Sequence, residues 1–98
     1  MRFEWDDGKN RRNLAKHKIS FDTAMLVFED PNVLVQEDRV HEGEQRWQAL
    51  GLIGGFVVVL VVYSCRGQEG DEVIRVISAR KATTQERTAY DKAYQSPG

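Results

Sequence analysis

With Cys65 as its only cysteine, the chain of 98 residues can form no intrachain disulfide, which excludes a small secreted disulfide scaffold. Two prolines and eight glycines leave no collagenous or low-complexity tract. The opening Met1-Arg2-Phe3-Glu4-Trp5-Asp6-Asp7 is charged where a secretory leader carries its apolar run, so a reducing cytoplasm is the expected setting. Histidine is scarce: His17 and His41 stand apart on different elements, without the short-spaced ligand set that a metal needs. No phosphate-binding P-loop or dinucleotide fingerprint occurs, and no metal or organic cofactor is expected. Cys65 closes an apolar run with no base beside it, which suits an inert thiol better than a nucleophile.

Uncharged runs are confined to one, the 18 residues from Gln48 to Cys65. That length is the lower edge of a spanning helix. Gly54-Gly55 sits near its middle, however, and the half beyond it is almost wholly β-branched or aromatic. The run is a hairpin of two strands, and no membrane span is expected. At 41% hydrophobic and 30% charged residues the chain is globular. Residues 1–98 are expected to form one domain, burying about 65% of the surface the unfolded chain exposes.

A net charge of −1 conceals a segregation. Between Gly8 and Lys18 lie five cations (Lys9, Arg11, Arg12, Lys16, Lys18) and no acid. Between Ser20 and Gln45 lie seven acids and Arg39 alone. From Arg75 to Lys92 cations again lead, five to two. Folding could join the two basic segments into a patch for a polyanion; equally, they could be ordinary solvated faces.

Phe3-Glu4-Trp5 alternates as a short strand. Asp6 or Asp7 can cap a basic helix over about Gly8 to His17. Ser20 caps a second helix with a stripe at Phe21, Ala24, Met25 and Phe28, stopped by Pro31. Val33-Leu34-Val35 begins a strand that dissolves into a polar stretch, Gln36 to Gln45, which reads as a loop around His41. Strands follow at about Arg46 to Ile53, Phe56 to Ser64 and Glu72 to Ala79. The middle one is apolar on both faces and therefore central. Thr83 and Glu86 make a capping box that opens a last helix. That helix carries Tyr90, Ala93 and Tyr94 on one face and ends at Ser96-Pro97. The order β-α-α-β-β-β-β-α predicts an α+β fold, a twisted, mainly antiparallel sheet with two N-terminal helices and one C-terminal helix.

Arginine placement carries the remaining chemistry. Arg66 follows the central strand, Arg80 follows the last one, and Arg75 interrupts an apolar strand, so that it faces solvent or a partner. Arginines on a rigid sheet can hold a phosphate bidentately. The plainer alternative makes Arg66 a turn residue and Arg80 a cation ahead of a helix. Spacing leaves open whether the two lie at the same end of their strand pair.

Several segments resemble one family. Phe3-Glu4-Trp5-Asp6 with Lys9, Asn13-Leu14-Ala15-Lys16-His17, Ile19-Ser20-Phe21-Asp22-Thr23-Ala24 and Val27-Phe28-Glu29-Asp30-Pro31 resemble the opening of BrnT-type toxins. So do Gly43-Glu44-Gln45-Arg46-Trp47, a strand containing Gly51, and Arg75-Val76-Ile77-Ser78-Ala79-Arg80-Lys81-Ala82-Thr83 with Glu86, Arg87 and Tyr90. The likeness runs in one order from Phe3 to about Tyr94. It implies a RelE-like fold and a type II toxin whose ribonuclease activity blocks translation. It also implies a BrnA-type ribbon-helix-helix antitoxin as partner, in a two-to-two heterotetramer that represses its own operon. Operator DNA would be met only through the antitoxin. Departures are Cys65 before the arginine, Lys18 after the first-helix histidine, and a long turn, Gly67 to Asp71.

For such a toxin the chemistry is attack by the ribose 2′-OH, with no metal. It needs a base, cations for the phosphorane charge, and an acid. The resemblance carries over to Arg66 and Arg80 as catalytic cations, with Lys9, His41 and Arg46 at matching motif positions. Proton-transfer candidates are His41, Lys9, Glu44 and Tyr90; an imidazole ordinarily titrates near neutrality, which favours the histidine. Arg46, Lys16, Arg12, Arg75 and Tyr90 are the expected RNA contacts. Two other readings keep the fold: a toxin-like module that only binds its antitoxin and shapes repression, or a toxin that poisons another target such as gyrase.

Overall fold

Strand pairing joins the first strand of this chain to its last. The computed structural model describes residues 1–95, the last two by their backbone. Its elements are β1 (Arg2–Glu4), α1 (Asp7–His17), α2 (Phe21–Ala24) running on as a 3₁₀ segment (Met25–Glu29), β2 (Leu34–His41), β3 (Glu44–Ile53), β4 (Val57–Arg66), β5 (Val73–Lys81) and α3 (Thr84–Gln95). They build one sheet in the order β1-β5-β4-β3-β2, antiparallel except where β1 lies parallel to β5. The α+β architecture and element order are those expected.

Asp6 starts α1 by accepting the Lys9 N–H at 2.9 Å, and Lys18 ends it in the left-handed region with φ 63°. The helix is mostly exposed, and Asn13 is its buried residue. The Asn13 amide donates to the Ile19 and Ala79 carbonyls at 2.9 and 2.8 Å and accepts the Ala79 N–H at 3.2 Å. One side chain therefore fixes α1 to β5.

The second helix differs from its expected form. Its α-helical turn is capped by Ser20 but tightens to 3₁₀ at Met25. Phe21, Ala24 and Val27 are fully buried, while Met25 and Phe28 are half-buried. A three-residue turn stacks positions 21, 24 and 27 on one line, whereas an α-helix would have turned Met25 inward. Gly51 of β3 explains the close seat. A Cβ there would lie 2.8 Å from Val27 Cγ1 and 3.0 Å from the Val27 carbonyl.

On this side of the sheet Val59, Val61, Tyr63, Ile74, Val76 and Ala79 pack against Ile19, Phe21, Ala24 and Val27. The Phe28 ring meets Phe3 and Tyr63 at 5.5 and 5.0 Å. On the other side Leu50, Val58 and Leu60 pack against Tyr90 of α3. The first half of β4 is thus covered on both faces, as its apolar run predicts.

Two boundaries are corrected. Gln36 to Gln45 is not a loop but the β2–β3 hairpin, turning at Glu42 and Gly43 with φ 50° and 79°. β2 is an edge strand exposed on most of its length, so it needs no apolar alternation and showed none. β5 runs to Lys81, which puts Arg80 inside the strand, opposite Leu60, rather than after it. The expected helix end at Ser96-Pro97 and the Tyr94 side chain lie outside the described residues. Among those described, no helix is long and apolar enough to cross a membrane.

Candidate active site

α3 shelters only the Leu50–Leu60 half of its side of the sheet, and the other half stays open. Register and alternation decide which side chains stand there. Arg46 lies opposite Ser64, Ser64 opposite Arg75, and Arg75 opposite Glu4, one row across β3, β4, β5 and β1. Arg46 and Ser64 fall in step with Leu50 and Leu60, on the α3 side. Arg75 joins them because the β4–β5 register shifts between Val62 and Tyr63, leaving Ile77 as an extra residue in β5. Without that bulge Arg75 and Arg80, five residues apart, would point to opposite faces.

Glu4 is the anion of this group. Its Oε1 accepts a very short hydrogen bond from Arg66 Nη1 and stands 3.6 Å from Arg75 Nη1. The Arg66 hydrogen bond, with the charges of Arg66 and Arg75, holds the Glu4 carboxyl below its usual range against the opposing effect of desolvation. Arg66 is correspondingly raised, first by the Glu4 hydrogen bond and also by the nearby Glu44 charge. Glu44 faces His41 across the hairpin mouth, and His41 Nε2 is 3.9 Å from Glu42. Arg46 Nε is buried and has no hydrogen-bond partner among the described residues. Arg46, Arg66 and Arg75, with Glu44 and His41, therefore share one end of one open face.

Other expected site residues stand elsewhere. Lys9, Arg12 and Lys16 belong to α1, which Asn13 joins to the backbone of β5 at Ala79; the Lys9 N–H, with the charges of Arg12, Lys9 and Arg75, holds the Asp6 carboxyl at the head of this helix below its usual range. Arg80 shares the face of Arg75 but lies about four strand steps, ~13 Å, from its row. Its guanidinium is bidentate on Glu86, at 2.7 and 3.0 Å. Glu86 also completes the expected capping box: it accepts the Thr83 N–H at 2.8 Å, and its own N–H meets Thr83 Oγ1 at 3.1 Å. Tyr90 is 5% exposed and donates its hydroxyl to Asp30 Oδ2. Burial pushes the Asp30 carboxyl up, but the Leu52 N–H, the Tyr90 hydroxyl and the Asn32 N–H together hold it below its usual value. Arg80 and Tyr90 thus hold α3 on the sheet.

Sequence reading missed Glu4 and Ser64. For Glu4 a signal existed: Phe3 and Trp5 both pack inward, so the residue between them must point to the other face.

The Arg80 hydrogen bonds pull the Glu86 carboxyl from 4.5 to about 2. A depressed carboxyl stabilises the fold above its unfolded value, and the benefit fades as pH falls through its folded one. Wild-type protein is expected to lose about 1–2 kcal/mol more stability than Glu86→Gln as pH falls from 4.5 toward 2, after discounting for solvent screening. Urea titrations at pH 7 and pH 3 on both proteins check this. Equal losses would mean that the pair contributes nothing to the fold.

The family described as "Ribonuclease toxin, BrnT, of type II toxin-antitoxin system" matches residues 5–86. The crystal structure of the Brucella abortus ribonuclease toxin BrnT superposes with a TM-score of 0.68 at 30% identity, over 86% of this chain and 99% of that one. No curated protein matches. Fold and matches together define the class: a toxin of the type II toxin–antitoxin systems, small and α+β, with an antitoxin as the partner that class implies. Within it, the chain belongs to the BrnT family of ribonuclease toxins.

Proposed function

We propose that this chain is a single-domain cytoplasmic endoribonuclease that cuts RNA without a metal and so inhibits translation. In this reading a BrnA-type ribbon-helix-helix antitoxin neutralises it, in a two-to-two complex that represses their operon. What carries the proposal is the gathering of Arg46, Arg66 and Arg75 on the half of the sheet that α3 leaves open. Three guanidiniums supply the charge that phosphorane formation demands, in a form that cannot be deprotonated.

The reaction runs within the RNA. The 2′-oxygen attacks the adjacent phosphorus, a 2′,3′-cyclic phosphate forms, and the P–O5′ bond breaks. One proton leaves the 2′-OH and one reaches the departing 5′-oxygen. Glu44 and His41, facing each other across the hairpin mouth beside Arg66, are the groups we assign to these two transfers. Arg46, opposite Ser64 in the same row, adds a third cation to this face.

Purified protein in excess EDTA should cut free RNA, leaving 2′,3′-cyclic phosphate and 5′-hydroxyl ends. Cleavage that appears only with added magnesium, or that leaves 5′-phosphates, would overturn the mechanism. Intact RNA, together with undiminished translation in a ribosome-containing extract, would overturn the activity itself. The binding-only or other-target readings would then take its place.

A further inference from the structure

We propose that Glu4 is a positioning residue that clamps Arg66 and Arg75 by their Nη1 atoms, so that their remaining N–H groups face one phosphate of bound RNA. This rests on the RNA-cleaving reading of the same face.

The orientation of Glu4 is imposed by its neighbours. β1 is three residues long, and Phe3 and Trp5 anchor it in the core below. The parallel register sets Glu4 directly beside Arg75. Arg66 arrives from the other direction, as the last residue of β4. The chain turns at once through Gly67, whose φ is 99° and where a Cβ would fall 2.4 Å from the Asp71 carbonyl. The Arg66 side chain is 62% exposed. Left alone, it would spread over many rotamers and be repelled by Arg75.

One carboxylate solves both problems. Its Oε1 lies between the two cations, hydrogen-bonded to Arg66 Nη1 and 3.6 Å from Arg75 Nη1, an ion-pair distance. An arginine has five N–H donors. Nε and Nη2 of Arg66 and Arg75 have no hydrogen-bond partner among the described residues. The clamp thus takes one hydrogen-bonding nitrogen of Arg66, draws Arg75 by charge, and leaves their other donors for a phosphate's oxygens. Ordering of this kind acts on turnover more than on affinity, because removing an anion from a cationic patch strengthens its general attraction for RNA.

The test compares Glu4→Gln, Glu4→Asp, Arg66→Ala and Arg75→Ala with wild type, in kcat and KM for RNA cleavage and in unfolding midpoint. Glu4→Gln should lower kcat about tenfold or more at an unchanged or lower KM, and Glu4→Asp should keep more of the rate. Should Glu4→Gln lower the unfolding midpoint, the rates are compared well below that midpoint, where Glu4→Asp should still outpace Glu4→Gln. A Glu4→Gln protein as active as wild type or more so, beside crippled arginine variants, would make Glu4 a mere counter-ion and overturn the clamp. That result would leave the ribonuclease reading standing. Full activity in the arginine variants would overturn the reading of the face, and the clamp with it.

Discussion

A protein carrying both Arg66→Ala and Arg75→Ala is expected to cleave RNA at least about 10³-fold more slowly than wild type, while unfolding at the same midpoint. Removing a single preorganised donor from a developing oxyanion costs about 10²–10³ in rate, and two donors acting as a unit lose less than the product of their separate losses. Stability should hold because both side chains reach outward, 62% and 44% exposed, and neither fills the core. Arg80→Ala should show the opposite pattern. Its guanidinium is engaged by Glu86, so its loss should reduce stability by about 1–2 kcal/mol and leave most of the cleavage rate. Cleavage assays in EDTA and urea titrations on the two proteins decide the matter. A dead Arg80→Ala protein beside an active double variant would move the active site to the other end of the sheet.

For Asn13→Ala the expected loss is in stability, about 2–4 kcal/mol. The side chain fills one acceptor and two donor roles at once, bridging the last turns of α1 to Ile19 and to both polar groups of Ala79. Truncation would leave two carbonyls and one N–H without partners in a region that water barely enters, and leucine would restore the volume without restoring the bonds. Asn10 gives parallel support, since its Oδ1 accepts the Phe21 N–H at 2.8 Å. Urea denaturation monitored by tryptophan fluorescence measures the loss. A change under about 1 kcal/mol would mean that water substitutes for the amide. Cleavage measured well below the unfolding midpoint should be close to normal, since Asn13 meets β5 at Ala79, further along the strand than the row of Arg75.

The contrast between these two variants reflects what could be read from the chain. Elements with a strong apolar pattern were legible, namely the Gly-Gly hairpin and the doubly covered β4, while α1 was legible from its Asp6 cap and its run of cations. The capping box was legible too, because Thr83 and Glu86 form a local motif whose bonds do not depend on the rest of the fold. β2 was lost because an exposed edge strand has no core to pattern it. The 3₁₀ segment was misread because Phe21 and Ala24 fit a three-residue and a 3.6-residue period equally well. Only the approach of Val27 to Gly51 selects the first.

At the site, residue types were legible and their grouping was not. Arg66, Arg75 and Arg46 are gathered by strand register, and one bulged residue, Ile77, decides which face β5 presents there. Nothing local to Arg80 showed that Glu86 would take its guanidinium, although both residues were in view. Glu4 escaped notice because its partners are distant in sequence and meet it only across β1–β5.

That same pairing bears on how the protein is made. Arg2 of β1 pairs with Val73 of β5, so the first strand has no place to dock until most of the chain exists. During biosynthesis Glu4 emerges early and waits, while Arg66 and Arg75 follow much later. The ring of charges that we assign to cleavage therefore cannot close on a half-made polypeptide. In the reading proposed above, cleavage waits until β5 has left the exit tunnel and completed the sheet.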